Sequence, residues 1–105
     1  MEAIKTNAEG IKMDYVAVKN AAMTLRALNH KLRQQILRLL DEHKRLKVTD
    51  IYVKLRLEQS VASQHLAILR RANIVSTERM GKEIYYTLNP KRINEVVEFV
   101  NKITA

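Results

Sequence analysis

The 105-residue sequence contains no cysteine and no tryptophan, and it has only two glycines and one proline. Without cysteine the chain cannot form a disulfide framework, a thiolate metal site, a catalytic thiol or a thiol redox sensor. No uninterrupted apolar run approaches the ~20 residues that a membrane-spanning helix needs, and residues 1–6 lack the apolar core of a signal peptide. We therefore expect a cytoplasmic protein with no membrane-spanning segment.

The composition that remains is globular and strongly basic. Hydrophobic residues make up 47% and charged residues 29%, and this length suits one compact domain over residues 1–105. The chain carries 19 Lys and Arg against 11 Asp and Glu, which gives a formal net charge of +8. Such a charge favours an anionic partner, with nucleic acid first and an anionic membrane second. A merely well-solvated basic surface is an alternative that charge alone leaves open.

Hydrophobic periodicity predicts helices over most of the first two thirds of the chain. Residues 1–12 show no clear period and are predicted to form a loose arm. Asp14 and Asn29 are candidate N-caps for the first two helices, and residues 43–47 are predicted to be a polar connection. Asn73 can adopt the left-handed conformation that commonly closes a helix. The predicted helices span residues 14–28, 30–43, 48–55 and 59–72.

The pattern changes after Asn73. Residues 74–79 and 83–88 are rich in β-branched and aromatic side chains that roughly alternate, and Gly81 lies between them, so a β-hairpin is expected. Pro90 suits the first turn of a final helix over residues 90–103. The predicted fold is mainly α with a small β-hairpin, in the order α-α-α-α-β-β-α. A helix–turn–helix (residues 48–72) followed by a hairpin, the wing (74–88), is the winged-helix arrangement, whose second helix enters the major groove.

Three segments carry motifs that match one known family in order and spacing: Leu28–Leu37, Gln59–Arg70 and Arg79–Leu88. The second reads Gln-Ser-Val-Ala-Ser-Gln-His-Leu-Ala-Ile-Leu-Arg, and the third reads Arg-Met-Gly-Lys-Glu-Ile-Tyr-Tyr-Thr-Leu. Residues 25–88 thus resemble the ArsR/SmtB family of bacterial transcriptional repressors. Lys31 and Asn73 stand where that family usually has proline and glycine.

The chemistry of these segments independently suits DNA. Serine and glutamine can bond phosphates or base edges, and glutamine can pair with adenine, while cations at a hairpin tip suit the minor groove. The alternatives are a polar solvent face for the fourth helix and a packed histidine for His65. For Arg70 and Arg71, a phosphate contact and a solvated charge are both open. The residues predicted to contact DNA are Gln59, Ser60, Ser63, Gln64, His65, Arg70, Arg79 and Lys82, with Asn29, His30, Lys31 and Arg33 on backbone phosphates.

The first and last helices each carry an apolar stripe. The resemblance implies a homodimer joined through these two helices, residues 14–28 and 90–103. The last helix could instead only cap the core of its own domain. The residues predicted at the dimer interface are Tyr15, Val18, Ala22, Leu25, Ile93, Val96, Val97 and Val100.

The family often senses metals, but the residues of its two usual metal sites are missing from this sequence. The positions of the paired thiolates hold Lys47 and Thr49, and the last helix has no histidine. The three histidines lie at His30, His43 and His65 without ligand spacing. We therefore expect no metal and no cofactor, and the effector is unknown.

Nothing in the sequence indicates an enzyme, because it has no glycine-rich phosphate loop and no nucleophile motif. The sequence therefore predicts a homodimeric, sequence-specific regulator, a repressor of ArsR type that binds a pseudo-palindromic operator in double-stranded DNA. The alternative is a winged-helix module for protein interaction or a subunit of a larger complex, since a fold alone does not determine function.

Overall fold

A computed structural model of the chain describes residues 6–7 and 10–105. The described part is mainly helical, with a three-stranded sheet and a small N-terminal hairpin. Its elements are β1 (Thr6–Asn7), β2 (Gly10–Ile11), α1 (Tyr15–Leu28), α2 (Lys31–His43), β3 (Arg45–Lys47), α3 (Val48–Leu55), α4 (Gln59–Arg71), β4 (Val75–Met80), β5 (Glu83–Leu88) and α5 (Pro90–Thr104).

The junction between α1 and α2 differs from the prediction in its capping residue. Asp14 caps α1 as expected, because its carboxylate accepts the backbone N–H groups of Val16 and Ala17 at 3.1 Å each. Asn29, however, follows α1 and donates its own N–H to carbonyls of that helix. The N-cap of α2 is His30, whose Nδ1 accepts the N–H of Leu32 at 3.1 Å. The prediction of Asn29 as the second cap is therefore wrong by one residue.

Two helices end in the same hydrogen-bonded turn, with a non-glycine residue in the left-handed conformation. Arg56 (φ 56°) closes α3, where the Leu57 N–H donates to the Tyr52 carbonyl at 2.8 Å. Asn73 (φ 61°) closes α4, where the Ile74 N–H donates to the Leu69 carbonyl at 3.0 Å. This pattern satisfies helix-end carbonyls. The predicted left-handed conformation of Asn73 is confirmed.

The wing hairpin of β4 and β5 is part of a three-stranded antiparallel sheet in the order β3-β5-β4 and is not isolated. The prediction of a polar connection over residues 43–47 is wrong for the last three, which form β3 and pair with residues 85–87 of β5. Leu46 is only 7% exposed and joins the core, so this strand attaches the sheet to the helices. Gly81, at φ +64°, begins the turn between β4 and β5 as expected.

The core lies where α2, α3 and α4 meet the sheet. Its fully buried side chains come from each of these elements, namely Ile36, Leu40, Ile51, Leu66, Leu69, Ile74 and Val75. The helix–turn–helix formed by α3 and α4 thus packs directly against this core.

The N-terminal arm is only partly described. The predicted loose arm includes residues 1–5 and 8–9, which lie outside the described residues. Thr6–Asn7 pairs with Gly10–Ile11 in a short antiparallel ladder that the sequence did not predict. Within the described ranges, no helix has both the length and the apolar character to cross a membrane.

Candidate nucleic-acid interface

Helix α4 presents one polar face to solvent. The opposite face is fixed in the core by Ala62, Leu66 and Leu69, all of which are fully buried. In the part of the chain that the structure describes, no hydrogen bond engages the exposed side chains of Gln59, Ser60, Ser63 and Gln64. Donors and acceptors that are fixed on a rigid helix and free of internal partners are what direct readout of base edges requires.

Arg33, which was predicted to contact phosphate, has a structural role instead. Its side chain is only 8% exposed, and its Nε and Nη2 donate to the carbonyls of Ala27 and Arg26 at 2.6 and 3.1 Å. Its Nη1 lies 3.2 Å from Nδ1 of His65. The guanidinium therefore satisfies carbonyls at the end of α1 and links them to α4. The prediction of Arg33 as a phosphate contact is wrong because this group points inward.

His65 is half-buried on α4 and contacts residues at the start of α2. Because a guanidinium can only donate, Nδ1 of His65 accepts from Arg33, and the imidazole is neutral with its proton on Nε2. Burial lowers the pKa of His65, and the nearby charges of His30 and Arg33 lower it further. The sequence left a packed histidine and a phosphate contact open for His65, and its hydrogen bond to Arg33 supports the packed one.

The start of α2 lies beside α4. The rings of His30 and His65 are 4.7 Å apart between centroids, tilted by 49°. Asn29, His30 and Lys31 are exposed around this contact. The structure thus brings His30 against α4, and its two exposed neighbours in the chain, Asn29 and Lys31, flank this contact.

The tip of the wing is cationic. Arg79 and Lys82 are exposed, and neither has an ion pair within the described residues. The acidic groups nearby are paired on the strands: Glu78 lies 3.9 Å from Arg45, and Glu83 lies 3.9 Å from Lys47. The pairing leaves the positive charge of the tip uncompensated.

A hollow of about 390 Å³ separates α4 from the wing. Ser63, Ala67 and Arg70 line it together with Arg71 and Tyr86. Arg71 lies seven residues after Gln64, so helical spacing alone places both on one face. No comparable spacing in the sequence indicates Tyr86, whose side chain also packs against the core.

The predicted dimer residues divide into two groups. Tyr15, Val18, Ala22 and Val97 are exposed on α1 and α5. Val96 is only 9% exposed and belongs to the core of its own chain, so it has little surface left for a partner, contrary to prediction. Leu25, Ile93 and Val100 are half-buried against the same core. Exposed apolar residues that the prediction omitted are Val16, Met23, Phe99 and Ile103.

No three His, Asp or Glu side chains come together as a metal site would require, within residues 6–7 and 10–105. The tilted rings of His30 and His65 each use Nδ1 as an acceptor within the protein: His30 accepts from the Leu32 N–H, and His65 accepts from Arg33.

Comparison with known proteins identifies the family. Residues 30–77 match the sequence profile of the family described as bacterial regulatory protein, arsR family. The chain is 35% identical over 92 residues to the transcriptional repressor PagR of Bacillus anthracis, covering 88% of this chain and 92% of PagR. It is 34% identical over 83 residues to the transcriptional activator HlyU of Vibrio cholerae, covering 79% and 76%.

The fold agrees with this relationship. The crystal structure of PagR superposes with a TM-score of 0.66 at 36% identity, covering 82% of this chain and 99% of PagR. NolR of Sinorhizobium fredii gives a TM-score of 0.70 at 31% identity, covering 85% and 88%. These matches favour a regulator over a protein-interaction module. The chain belongs to the ArsR family of bacterial regulatory proteins, and it is a winged helix–turn–helix transcriptional regulator that binds DNA.

Proposed function

We propose that this protein is a homodimeric repressor that reads a pseudo-palindromic operator with two copies of α4. The observation that carries this proposal is the exposed face of Ser60, Ser63 and Gln64, whose side chains have no hydrogen bond in the described chain. Each α4 would enter a major groove, with successive grooves about 34 Å apart, and Gln64 would contact a base edge.

Cationic side chains around the face of Ser60, Ser63 and Gln64 would bind the DNA backbone. Arg79 and Lys82 at the wing tip would reach the flanking minor groove, and Arg70 would contact phosphate. Lys31, with Asn29 and His30, would bind phosphates at the start of α2. Gln59 would extend the contacts of the reading face at its N-terminal end.

The dimer would form through α1 and α5. The described chain is elongated, with a radius of gyration of 16.8 Å, whereas a compact chain of this length has about 13 Å. Exposed Tyr15 and Val18 on α1 and Val97 on α5 offer apolar surface for a partner copy. In this arrangement residues 48–72 and 74–88 bind DNA, the two terminal helices dimerise, and residues 1–105 act as one domain without catalytic activity.

Repression is the direction we propose, by analogy with PagR, which is described as a repressor. Operator occupancy would then block transcription. HlyU is described as an activator, so the direction is open to a direct test. A reporter gene placed behind a DNA sequence that the protein binds specifically should be expressed less when the protein is present. Increased expression would contradict repression.

The proposed contacts to the DNA backbone are tested by titrating the protein against a labelled random duplex at several salt concentrations. We expect the logarithm of the affinity to fall linearly with the logarithm of the salt concentration, because phosphate contacts release counterions. An affinity for DNA that does not change with the salt concentration would contradict the proposed phosphate contacts.

A further inference from the structure

A second recess, which we call the arginine cleft, lies at the C-terminal part of α4. It has a volume of about 500 Å³ and is formed by α1, the start of α2, the C-terminal part of α4 and the start of α5. This volume is in the range of small-molecule sites, which is roughly 300–1,000 Å³. Four arginines line it, Arg26, Arg33, Arg71 and Arg92, and no carboxylate does so within the described chain.

The fold accounts for two of these arginines. Arg33 donates to the carbonyls at the end of α1. Arg92 donates to the Ala72 carbonyl and to Oγ1 of Thr24, each at 3.2 Å, and its Nη1 lies 3.7 Å from Glu95 outside the cleft lining. Their fork geometry leaves further N–H donors on each guanidinium.

Packing does not account for the other two. Arg26 and Arg71 are exposed at the edge of the cleft, and neither has a side-chain hydrogen bond or an ion pair in the part of the chain described. Four like charges around one recess repel one another unless an anion lies between them. Guanidinium groups bind carboxylates and phosphates through paired hydrogen bonds.

We propose that the arginine cleft binds a small anion that carries at least two carboxylate or phosphate groups. Arg26 and Arg71 would bind one end, and the remaining donors of Arg92 would bind the other. Asn20 and Thr24, which also line the cleft, offer further polar contacts.

Occupation of the cleft would weaken DNA binding, a step that depends on the function proposed above. Arg71 lines both the arginine cleft and the hollow beside Ser63 and Tyr86. An anion that engages Arg71 therefore removes a cation from the DNA side. By linkage, DNA would weaken the binding of the anion by the same factor.

Calorimetric titration of the full chain with citrate and with pyrophosphate, at constant ionic strength and without DNA, tests the site. We expect saturable binding of one anion per chain. The variant Arg26→Gln/Arg71→Gln should bind about tenfold more weakly, because it loses charge-assisted hydrogen bonds. The control Arg38→Gln/Lys54→Gln removes the same charge elsewhere on the surface and should change affinity by less than about twofold.

The site proposal is overturned if neither probe binds saturably. It is also overturned if both double variants weaken binding equally, since general attraction to a basic protein then explains the result. Equal melting temperatures of the variants and the wild type would verify their folding. DNA binding measured without anion separates the two proposals. If DNA binds but neither anion does, the cleft proposal fails alone; if an anion binds without weakening DNA binding, its regulatory step fails.

Discussion

At the scale of single residues, the structure separates side chains that can contact DNA from those that hold the interface in place. Gln64 is exposed and free of partners in the described chain, whereas Arg33 is buried and bonds to two carbonyls and to His65. Both were predicted to contact DNA from their type and position. Sequence could not distinguish them, because the inward direction of Arg33 depends on carbonyls at the end of another helix.

Replacing Gln64 with alanine should reduce sequence discrimination. We expect a loss of about 1–3 kcal/mol for the specific duplex, because one side chain that pairs with a base edge contributes that much, and almost no loss for random DNA. Competition binding with both duplexes measures the difference. Gln35→Ala, an exposed glutamine on α2, is the matched control. Equal losses on specific and random DNA would show that Gln64 does not read bases.

The stability of the protein should depend on the protonation of His65. Its pKa is lowered in the folded chain, chiefly by burial, so the unfolded chain binds the proton more tightly. The free energy of unfolding is then highest above pH about 6.5 and declines as the pH falls from there through the lowered pKa, by at most about 1.4 kcal/mol per pH unit. Urea unfolding at a series of pH values measures this decline.

His65→Gln keeps an acceptor for Arg33 and removes the titration, so it should flatten the pH dependence. Gln35→Ala, an exposed substitution on α2 that removes no titratable group, should leave the dependence unchanged. An identical slope in wild type and His65→Gln would contradict the assignment.

At the scale of elements, most of the fold was predictable because its signals are local. The limits of α3, α4 and β5 follow from periodicity, turns and caps to within a residue or so. Strand β3 was missed for a physical reason: it has three residues, two of them charged, and its partner β5 lies about 40 positions later in the chain. Only tertiary pairing reveals such a strand.

The wing should contribute affinity rather than sequence choice. Arg79→Ala and Lys82→Ala should each weaken binding to all duplexes, and each should lower the slope of log affinity against log salt by about 0.9 for every phosphate that the variant no longer neutralises. Lys102→Ala, in the last turn of α5, is the control and should leave the slope unchanged. Unchanged slopes in both wing variants would show that the wing does not contact DNA.

At the scale of the whole molecule, the exposed apolar side chains of α1 and α5 and the elongated shape suit a dimer. Sequence periodicity identified both stripes but could not show which members face inward. Val96 completes the core of its own chain, while Val97 next to it is 49% exposed. The direction of a helix face relative to the core is a property of packing.

Charge placed in the proposed dimer interface should separate the subunits. We expect Val18→Asp/Val97→Asp to raise the dimer dissociation constant by about 100-fold or more, because an unpaired carboxylate in an apolar interface costs about 3 kcal/mol. Sedimentation velocity measures this change. The control Val53→Asp alters a valine on α3 that is 62% exposed. Dimers that persist in the double variant would place the interface elsewhere.

We propose that two copies of this chain read one operator through α4. Selection of bound duplexes from a randomised library is the sharpest test of this arrangement. We expect an inverted repeat whose half-sites lie about 10–10.5 base pairs apart, or a multiple of that spacing, between centres. The variant Ser63→Ala/Gln64→Ala should lose the preference at positions within each half-site. Recovery of no motif, or of one that this variant selects equally well, would show that α4 does not read an operator.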